Sequence, residues 1–165
     1  MGFFTDGKAY YCVHPDGIVK DNKRIISENL YLNSVSSDGR RIYYINSLLQ
    51  LKCYDIESGM TTRLPGEFVR ALYYDGTRLL YSDINGIFSL DPADNSTEKI
   101  SEHTAEQLAS DGEKIIYKNG GKLYLLGDTP IEIYDGGFGG FGIVSDINKL
   151  AVMHYIGEYE LIEIW

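Results

Sequence analysis

The sequence predicts an all-β fold built from one four-stranded unit copied along the chain, and three observations carry that reading. Five stretches repeat a strand, an Asp-led turn and an apolar run: FFTDGKAYY, SSDGRRIYY, YYDGTRLLY, ASDGEKIIY and VSDINKLAV. Their turn aspartates, Asp6, Asp38, Asp75, Asp111 and Asp146, are separated by 32, 37, 36 and 35 residues. A near-constant period in that range marks a single supersecondary unit repeated in series. Each copy also breaks into short β-prone runs bounded by Gly, Asp, Asn or Pro, the pattern of strands joined by hairpins. Finally, 44% hydrophobic residues, 14 tyrosines and 18 glycines exclude a disordered chain and suit many short strands with tight reversals.

The second copy reads most clearly, as LYLNSVSSD, GRRIYYINS, LLQLKCYDIES and GMTTRLPG, which are four antiparallel strands. The turn between its first two strands, Asp38-Gly39, and the equivalents Asp75-Gly76 and Asp111-Gly112 supply the positive φ angles expected of a two-residue reversal. Asp16-Gly17, Asn85-Gly86 and Asn119-Gly120 do the same between second and third strands. The second strands are apolar on consecutive residues (Ile42 to Ile45, Leu79 to Tyr81, Ile115 to Tyr117), so both faces are expected to be covered. The third strands alternate, with Leu49, Leu51 and Cys53 opposite Gln50, Lys52 and Tyr54. The fourth strands, such as Thr61 to Leu64 and Thr97 to Ile100, are more polar still. His103 to Ala109 has helix-forming content, but repeat phase assigns it to the first strand of the fourth copy.

Hydrophobicity thus falls from inner to outer strand in every copy. That gradient fits a radial array in which four-stranded sheets face one another, hide their inner strands and wet their outermost ones, a β-propeller. The sequence predicts five blades at about 1–28, 29–65, 66–101, 102–135 and 136–165, forming one domain over 1–165. With 165 residues the chain is long enough for one core and too short for two ordinary domains. Four blades have four strands. The last has only GFGIVSD, NKLAVMHYI and EYELIEIW, so a three-stranded final blade is expected.

The units SSDGRRIYYINS…LQLKCYDIESGMTTRL and YYDGTRLLYSDINGIFSLDPADNSTEKI resemble TolB-like and WD-repeat-like propeller blades. In those families a strand ends in Ser/Pro-Asp-Gly, an apolar pair follows, and a later strand carries an aspartate, here Tyr54-Asp55 and Leu90-Asp91. The resemblance spans the chain and implies a propeller without specifying an activity, since such propellers serve as binding platforms, enzyme lids and structural subunits. The blades here are shorter than usual, the fifth lacks Gly after Asp146, and the Trp-Asp dipeptide of true WD repeats is missing.

A three-stranded last blade would expose an edge along Glu158 to Trp165. Glu158, Glu160 and Glu163 on that edge would blunt edge-to-edge pairing by like-charge repulsion, and Trp165 would cover the neighbouring seam. The same four residues are the sequence's candidate partner-binding edge, where a partner strand could add to the sheet.

No catalytic, cofactor-binding or metal-binding set assembles from the sequence. His14 and His154 occupy matching positions in the first and fifth copies, but no third ligand accompanies them, and His103 stands apart. The turn aspartates are read as structural, because Asp in such turns bonds its own backbone. Glu67, Glu106 and Asp135 fall near the predicted openings of the inner strands, where five-bladed glycosidases hold their carboxylates. The segment DGGFGGFG, Asp135 to Gly142, lacks the helix a phosphate loop requires and is read as an inner strand thinned by crowding, with Phe138 and Phe141 packed between blades. No G-x-S-x-G, Walker or H-E-x-x-H motif occurs.

A net charge of -9 disfavours nucleic acid and anionic membrane surfaces as partners. No segment reads as a secretion signal or membrane span, and Asp6 breaks a myristoylation pattern after Gly2. Cys12 and Cys53 are isolated, as expected of reduced core thiols, and a cytoplasmic setting follows from them. Asn95-Ser96-Thr97 is a glycosylation sequon only in an exported chain. The leading expectation is a non-enzymatic interaction or structural module with a protein partner, including a homo-oligomer. A carbohydrate-binding propeller that uses Tyr rings comes second and a small glycosidase third.

Overall fold

The computed structural model describes residues 2–5, 9–143, 149–153 and 158–163, with side chains for all of these except 2–5, 32–33 and 143. Asp6, Asp146, His154 and Trp165 lie outside the described residues. Among the described residues every regular element is a β-strand, and the strands form five antiparallel sheets in chain order.

The first sheet contains β1 (Gly2–Thr5), β2 (Tyr10–His14), β3 (Gly17–Lys20) and β4 (Lys23–Ile26), and the second β5 (Leu30–Ser37), β6 (Arg41–Asn46), β7 (Leu51–Asp55) and β8 (Thr61–Arg63). The third holds β9 (Ala71–Tyr74), β10 (Leu79–Asp83), β11 (Gly86–Leu90) and β12 (Thr97–Ser101), and the fourth β13 (Gln107–Ser110), β14 (Ile115–Asn119), β15 (Lys122–Leu125) and β16 (Ile131–Asp135). The fifth has three strands, β17 (Gly140–Ile143), β18 (Lys149–Met153) and β19 (Tyr159–Glu163). Each sheet is a meander whose strands pair in sequence order. The first strands neighbour one another along the series, β1 by β5, β5 by β9, β9 by β13 and β13 by β17.

Period-two alternation in the second strands explains how one sheet serves two interfaces. Ile42 and Tyr44 of β6 join a cluster with Tyr11, Ile18 and Ile26 of the first sheet. Tyr43 and Ile45, on the other face, pack with Leu79, Tyr81 and Leu90 of the third. Leu80 then meets Leu108, Ile115 and Tyr117 of the fourth sheet, and Ile116 meets Phe138, Leu150 and Val152 at the fifth. Four face-to-face interfaces result, and the second strands of the middle three sheets, β6, β10 and β14, are buried on both faces, as their consecutive apolar runs require. The outer strands are wetter: all three residues of β8 are exposed.

Close to the inner strands, hydrogen bonds join the sheets where side chains are short. Ser36 Oγ accepts the Tyr74 N–H at 3.1 Å, and Ser82 Oγ accepts the Ala105 N–H at 2.8 Å while donating to Gly86 O. The Gln107 amide binds both polar groups of Phe141, donating to its carbonyl at 2.6 Å and accepting its N–H at 3.2 Å. Further out, Arg41 donates to Pro92 O, and Tyr134 Oη donates to Glu160 at 2.7 Å.

The turns differ from the two-residue reversal expected of Asp-Gly. Tyr74 pairs with Leu79, so four residues, 75–78, make the connection, and only Gly76 in it has positive φ. The aspartate acts through its carboxylate. Asp38 Oδ1 accepts the Arg40 and Arg41 N–H groups at 2.9 and 2.6 Å, and Asp75 Oδ1 those of Thr77 and Arg78 at 3.0 and 2.9 Å. Asp111 repeats this with Glu113 and Lys114. The later aspartates serve the third-to-fourth strand turns in the same manner, Asp55 accepting from Ser58 and Asp91 from Ala93. In the second-to-third strand turns of the first and third sheets, glycine is required by close approach. A Cβ on Gly17 would stand 1.9 Å from Ile26 O, and one on Gly86 2.1 Å from Ser101 O, beside β-bulges at Ile25 of β4 and Ile100 of β12.

His103 to Ala109 is neither a helix nor one strand. β13 begins only at Gln107, because a loop over 102–106 carries the chain inward from the outer strand β12.

Candidate functional site

Two surface features stand out from the packed layers. One is a cavity of about 460 Å³ at the end of the array where β5, β9, β13 and β17 begin. Four sheets line it. Tyr31 comes from the second, Arg70 and Leu72 from the third, Glu106, Gln107 and Lys118 from the fourth, and Gly139, Gly142, Met153 and Tyr159 from the fifth.

Its charges are unevenly matched. Lys118, only 8% exposed, is held by Glu106 at 3.2 Å and by Gly139 O at 3.4 Å, with its ammonium 5.3 Å from the centre of the Phe138 ring. Glu106 also accepts the Gly120 N–H. Arg70 anchors its backbone by donating to Ser82 O, and its guanidinium pairs with no described residue.

The wall contributed by DGGFGGFG does not follow from crowding alone. Gly140 is close to Gln107, whose Oε1 would lie 3.2 Å from an added Cβ, but a Cβ on Gly142 would meet nothing within 4 Å. Phe138 and Phe141 are buried between the fourth and fifth sheets, Phe138 with its ring edge-on to Tyr134. The backbone of β17 therefore borders open space, and the missing side chains leave the cavity unfilled.

The other feature is the outer strand of the fifth sheet. Leu150 and Val152 of β18 face the fourth sheet, so Ala151 and Met153 face away from it. β19 continues that free side with Tyr159 and Leu161, 71% and 73% exposed, while Ile162 packs inward. Glu160 and Glu163 are exposed along the same strand, and Glu158 is exposed just before it. Glu160 is engaged by Tyr134, and Lys149 stands across the ladder from Glu163.

The other sequence candidates do not converge. Of the three acids considered for glycoside chemistry, only Glu106 lines the cavity. Glu67 is exposed in the loop before β9, its N–H bonded to Asp83, and Asp135 ends the outer strand β16, where it pairs with Lys122 at 2.9 Å. Its expected place near an inner-strand opening fails because the chain is still on the outer strand at that point. His14 is half-buried at the end of β2, and His103 is exposed, 6.3 Å from the Tyr117 ring. Among the described residues no three His, Cys, Asp or Glu side chains are grouped to hold a metal ion.

A second polar cluster is half-buried. Glu28 lies between the first two sheets and accepts from Tyr44 at 2.9 Å, Asn46 at 2.8 Å and Lys52 at 2.5 Å. Burial works to raise its pKa, but these three donors outweigh burial and hold the carboxyl below its ordinary range. Asp75 behaves alike, burial being outweighed by bonds from Arg78 and Thr77. Burial pushes the Cys53 thiol up to about 11, and neither it nor Cys12 is in a disulfide.

Arg70, Gln107, Lys118 and Tyr31 belong to no sequence motif. The available signal was phase: Arg70 and Glu106 stand five residues before the turn aspartates Asp75 and Asp111, at the mouth of successive inner strands.

No protein-family model and no curated protein sequence matches the chain. Among solved structures, the computationally designed Ika8 protein is similar over 98% of this chain and 57% of its own, at 10% identity and a TM-score of 0.71. A nidogen/laminin complex contains a chain similar over 95% of this one and 76% of its own, at 13% identity and 0.69. The β-propeller domain of Cps50 (Swd1) from Myceliophteria thermophila is similar over 95% and 67%, at 12% identity and 0.65. The chain thus spans little more than half of Ika8. These likenesses show the β-propeller fold.

Proposed function

We propose that this chain is a non-enzymatic, five-bladed propeller that acts as a protein-interaction or structural module, with its last blade as the docking surface. The observation that carries this is the pairing of an outer strand, β19, with a free face on which Tyr159 and Leu161 are both more than two-thirds exposed. Large apolar side chains clustered beside a sheet edge are characteristic of surfaces that another chain covers. The three glutamates select against a second acidic strand and suit one bearing Lys or Arg. Two of the similar structures support a protein partner by analogy, one a chain from a nidogen/laminin complex and the other the β-propeller domain of Cps50 (Swd1). The scatter of Glu67, Glu106 and Asp135 supports a non-catalytic role. We place the protein in the cytoplasm on its two unpaired thiols.

The test is capture from the native source by the wild-type chain and two variants. A partner held through β19 is retained by Leu48→Lys, an equally exposed site on the turn after β6, and lost by Tyr159→Lys combined with Leu161→Lys. Sedimentation of the purified chain identifies a second copy as the partner. Capture indifferent to the β19 substitutions refutes the docking surface, and glycoside hydrolysis abolished by Glu106→Gln refutes the non-enzymatic assignment.

A further inference from the structure

We infer that the cavity at the mouths of β5, β9, β13 and β17 is a binding site for a small organic monoanion, a carboxylate attached to an apolar or aromatic body. This goes beyond the docking role of β19 and stands independently of it. At about 460 Å³ the space has the size of small-molecule sites.

Charge selects the class of ligand. The chain as a whole carries -9, yet the cavity lining holds two cations and one carboxylate. Glu106 is neutralised by Lys118, and Lys118 is in turn fixed by Gly139 O and the Phe138 ring. One positive group, the Arg70 guanidinium, is left without a partner among the described residues. A guanidinium presents a planar fork that matches a carboxylate through two parallel hydrogen bonds. The surrounding negative field repels polyanions, so a single negative charge fits best.

Shape selects the body. Tyr31, Leu72, Phe141 and Met153 supply apolar and aromatic wall, and Tyr159 stands at the rim. On the fifth sheet the rest of the lining is the bare backbone of 139, 140 and 142. Glycine inside a strand weakens it, and at Gly142 neither a positive φ nor a close neighbour requires glycine. What the absent side chain leaves open is space in the cavity that Arg70 also lines.

The experiment is an amide-resolved NMR titration with benzoate, 4-hydroxyphenylacetate and succinate, the neutral 4-hydroxyphenylacetamide and glucose serving as comparison ligands. An aromatic carboxylate is expected to shift the Arg70, Gln107 and Gly142 amides with a dissociation constant of about 1 mM or tighter, the range accessible to a small ligand with one charged anchor. Its amide and glucose bind at least tenfold more weakly. Arg70→Gln weakens the carboxylate at least tenfold, and Gly142→Leu, which fills the space, abolishes binding, both without a change in melting temperature. Arg63→Gln, on the exposed strand β8, leaves binding unchanged. The inference is overturned by no shift at these amides at about 10 mM of either aromatic carboxylate, or by succinate, a dianion without an apolar body, binding as tightly as they do. Equal binding of acid and amide, preference for glucose, or undiminished binding by a folded Arg70→Gln protein overturns it too.

Discussion

Replacing Gly86 by alanine tests how the third blade closes its outer hairpin. Gly86 has a φ of +145°, and an added Cβ would sit 2.1 Å from Ser101 O and 3.2 Å from Ser101 C, both backbone atoms of β12. No rotamer change relieves that contact, so β12 must move away from β11 or the bulge at Ile87/Phe88 must rearrange. Two costs combine: holding an L-residue in a glycine-only conformation, about 1–3 kcal/mol, and forced displacement of a packed element, about 1–3 kcal/mol. The expected loss is therefore about 4 kcal/mol, or roughly 8–16 °C in melting temperature for a chain of this length. Gly76→Ala is the matched control, because Gly76 has a φ of +102° and nothing lies within 4 Å of where an added Cβ would stand. It carries only the conformational cost, about 1–2 kcal/mol. Urea denaturation followed by far-ultraviolet circular dichroism, with m unchanged across the set, measures the difference. If Gly86→Ala falls within about 1 kcal/mol of Gly76→Ala, the close-approach argument is wrong.

Three further outcomes are expected. Glu28→Gln should cost about 2 kcal/mol at neutral pH, since hydrogen bonds to a charged group are lost or weakened. Because the folded-state pKa of Glu28 is depressed below the ordinary 4.5, its contribution is present above that value and lost as pH falls through the folded pKa. Urea melts of wild type and variant should accordingly converge in acid, and a gap that stays constant from pH 7 to about pH 3 contradicts this. Gln107→Leu should cost about 1–3 kcal/mol by stranding the Phe141 N–H and C=O, and should speed hydrogen exchange at that amide. Cys53, its thiol raised from 9.0 to about 11, should be alkylated by iodoacetamide about a hundredfold more slowly at pH 8 in the folded than in the denatured chain. Mass spectrometry of the labelled peptides reads this out, and equal rates contradict the burial of the third strand.

The strands were legible because the repeat carries them. Ile42 to Ile45 could not be assigned to one face by pattern, and the reason is visible in the structure, where odd and even residues feed different layers. The turn aspartates were legible as turn residues, but their geometry was not: Asp-Gly suggests a two-residue reversal, whereas carboxylates accepting two N–H groups support four-residue connections. Asp135 was misplaced because Gly-rich sequence obscures where β16 ends and β17 begins. The cavity was not legible at all. Arg70 and Lys118 are 48 residues apart in the chain, and nothing in their local sequence sets them apart. Only the packing of four sheets brings them to one opening, and no short-range pattern encodes that convergence. The exposed glutamates of β19 were legible as an edge, while its apolar partners Tyr159 and Leu161 read in sequence like ordinary strand residues.

The most direct test of the architecture is the distance between the second and fifth sheets, measured by paired spin labels at Tyr31 and Tyr159 after replacement of Cys12 and Cys53 by serine. Both sites border the same cavity and are exposed, so sheets set around one opening predict a mean separation of about 20 Å or shorter, against about 30 Å for three successive sheet spacings in a flat stack. A single population at the longer distance would contradict the radial arrangement on which the cavity, the free face of β19 and their proposed roles depend.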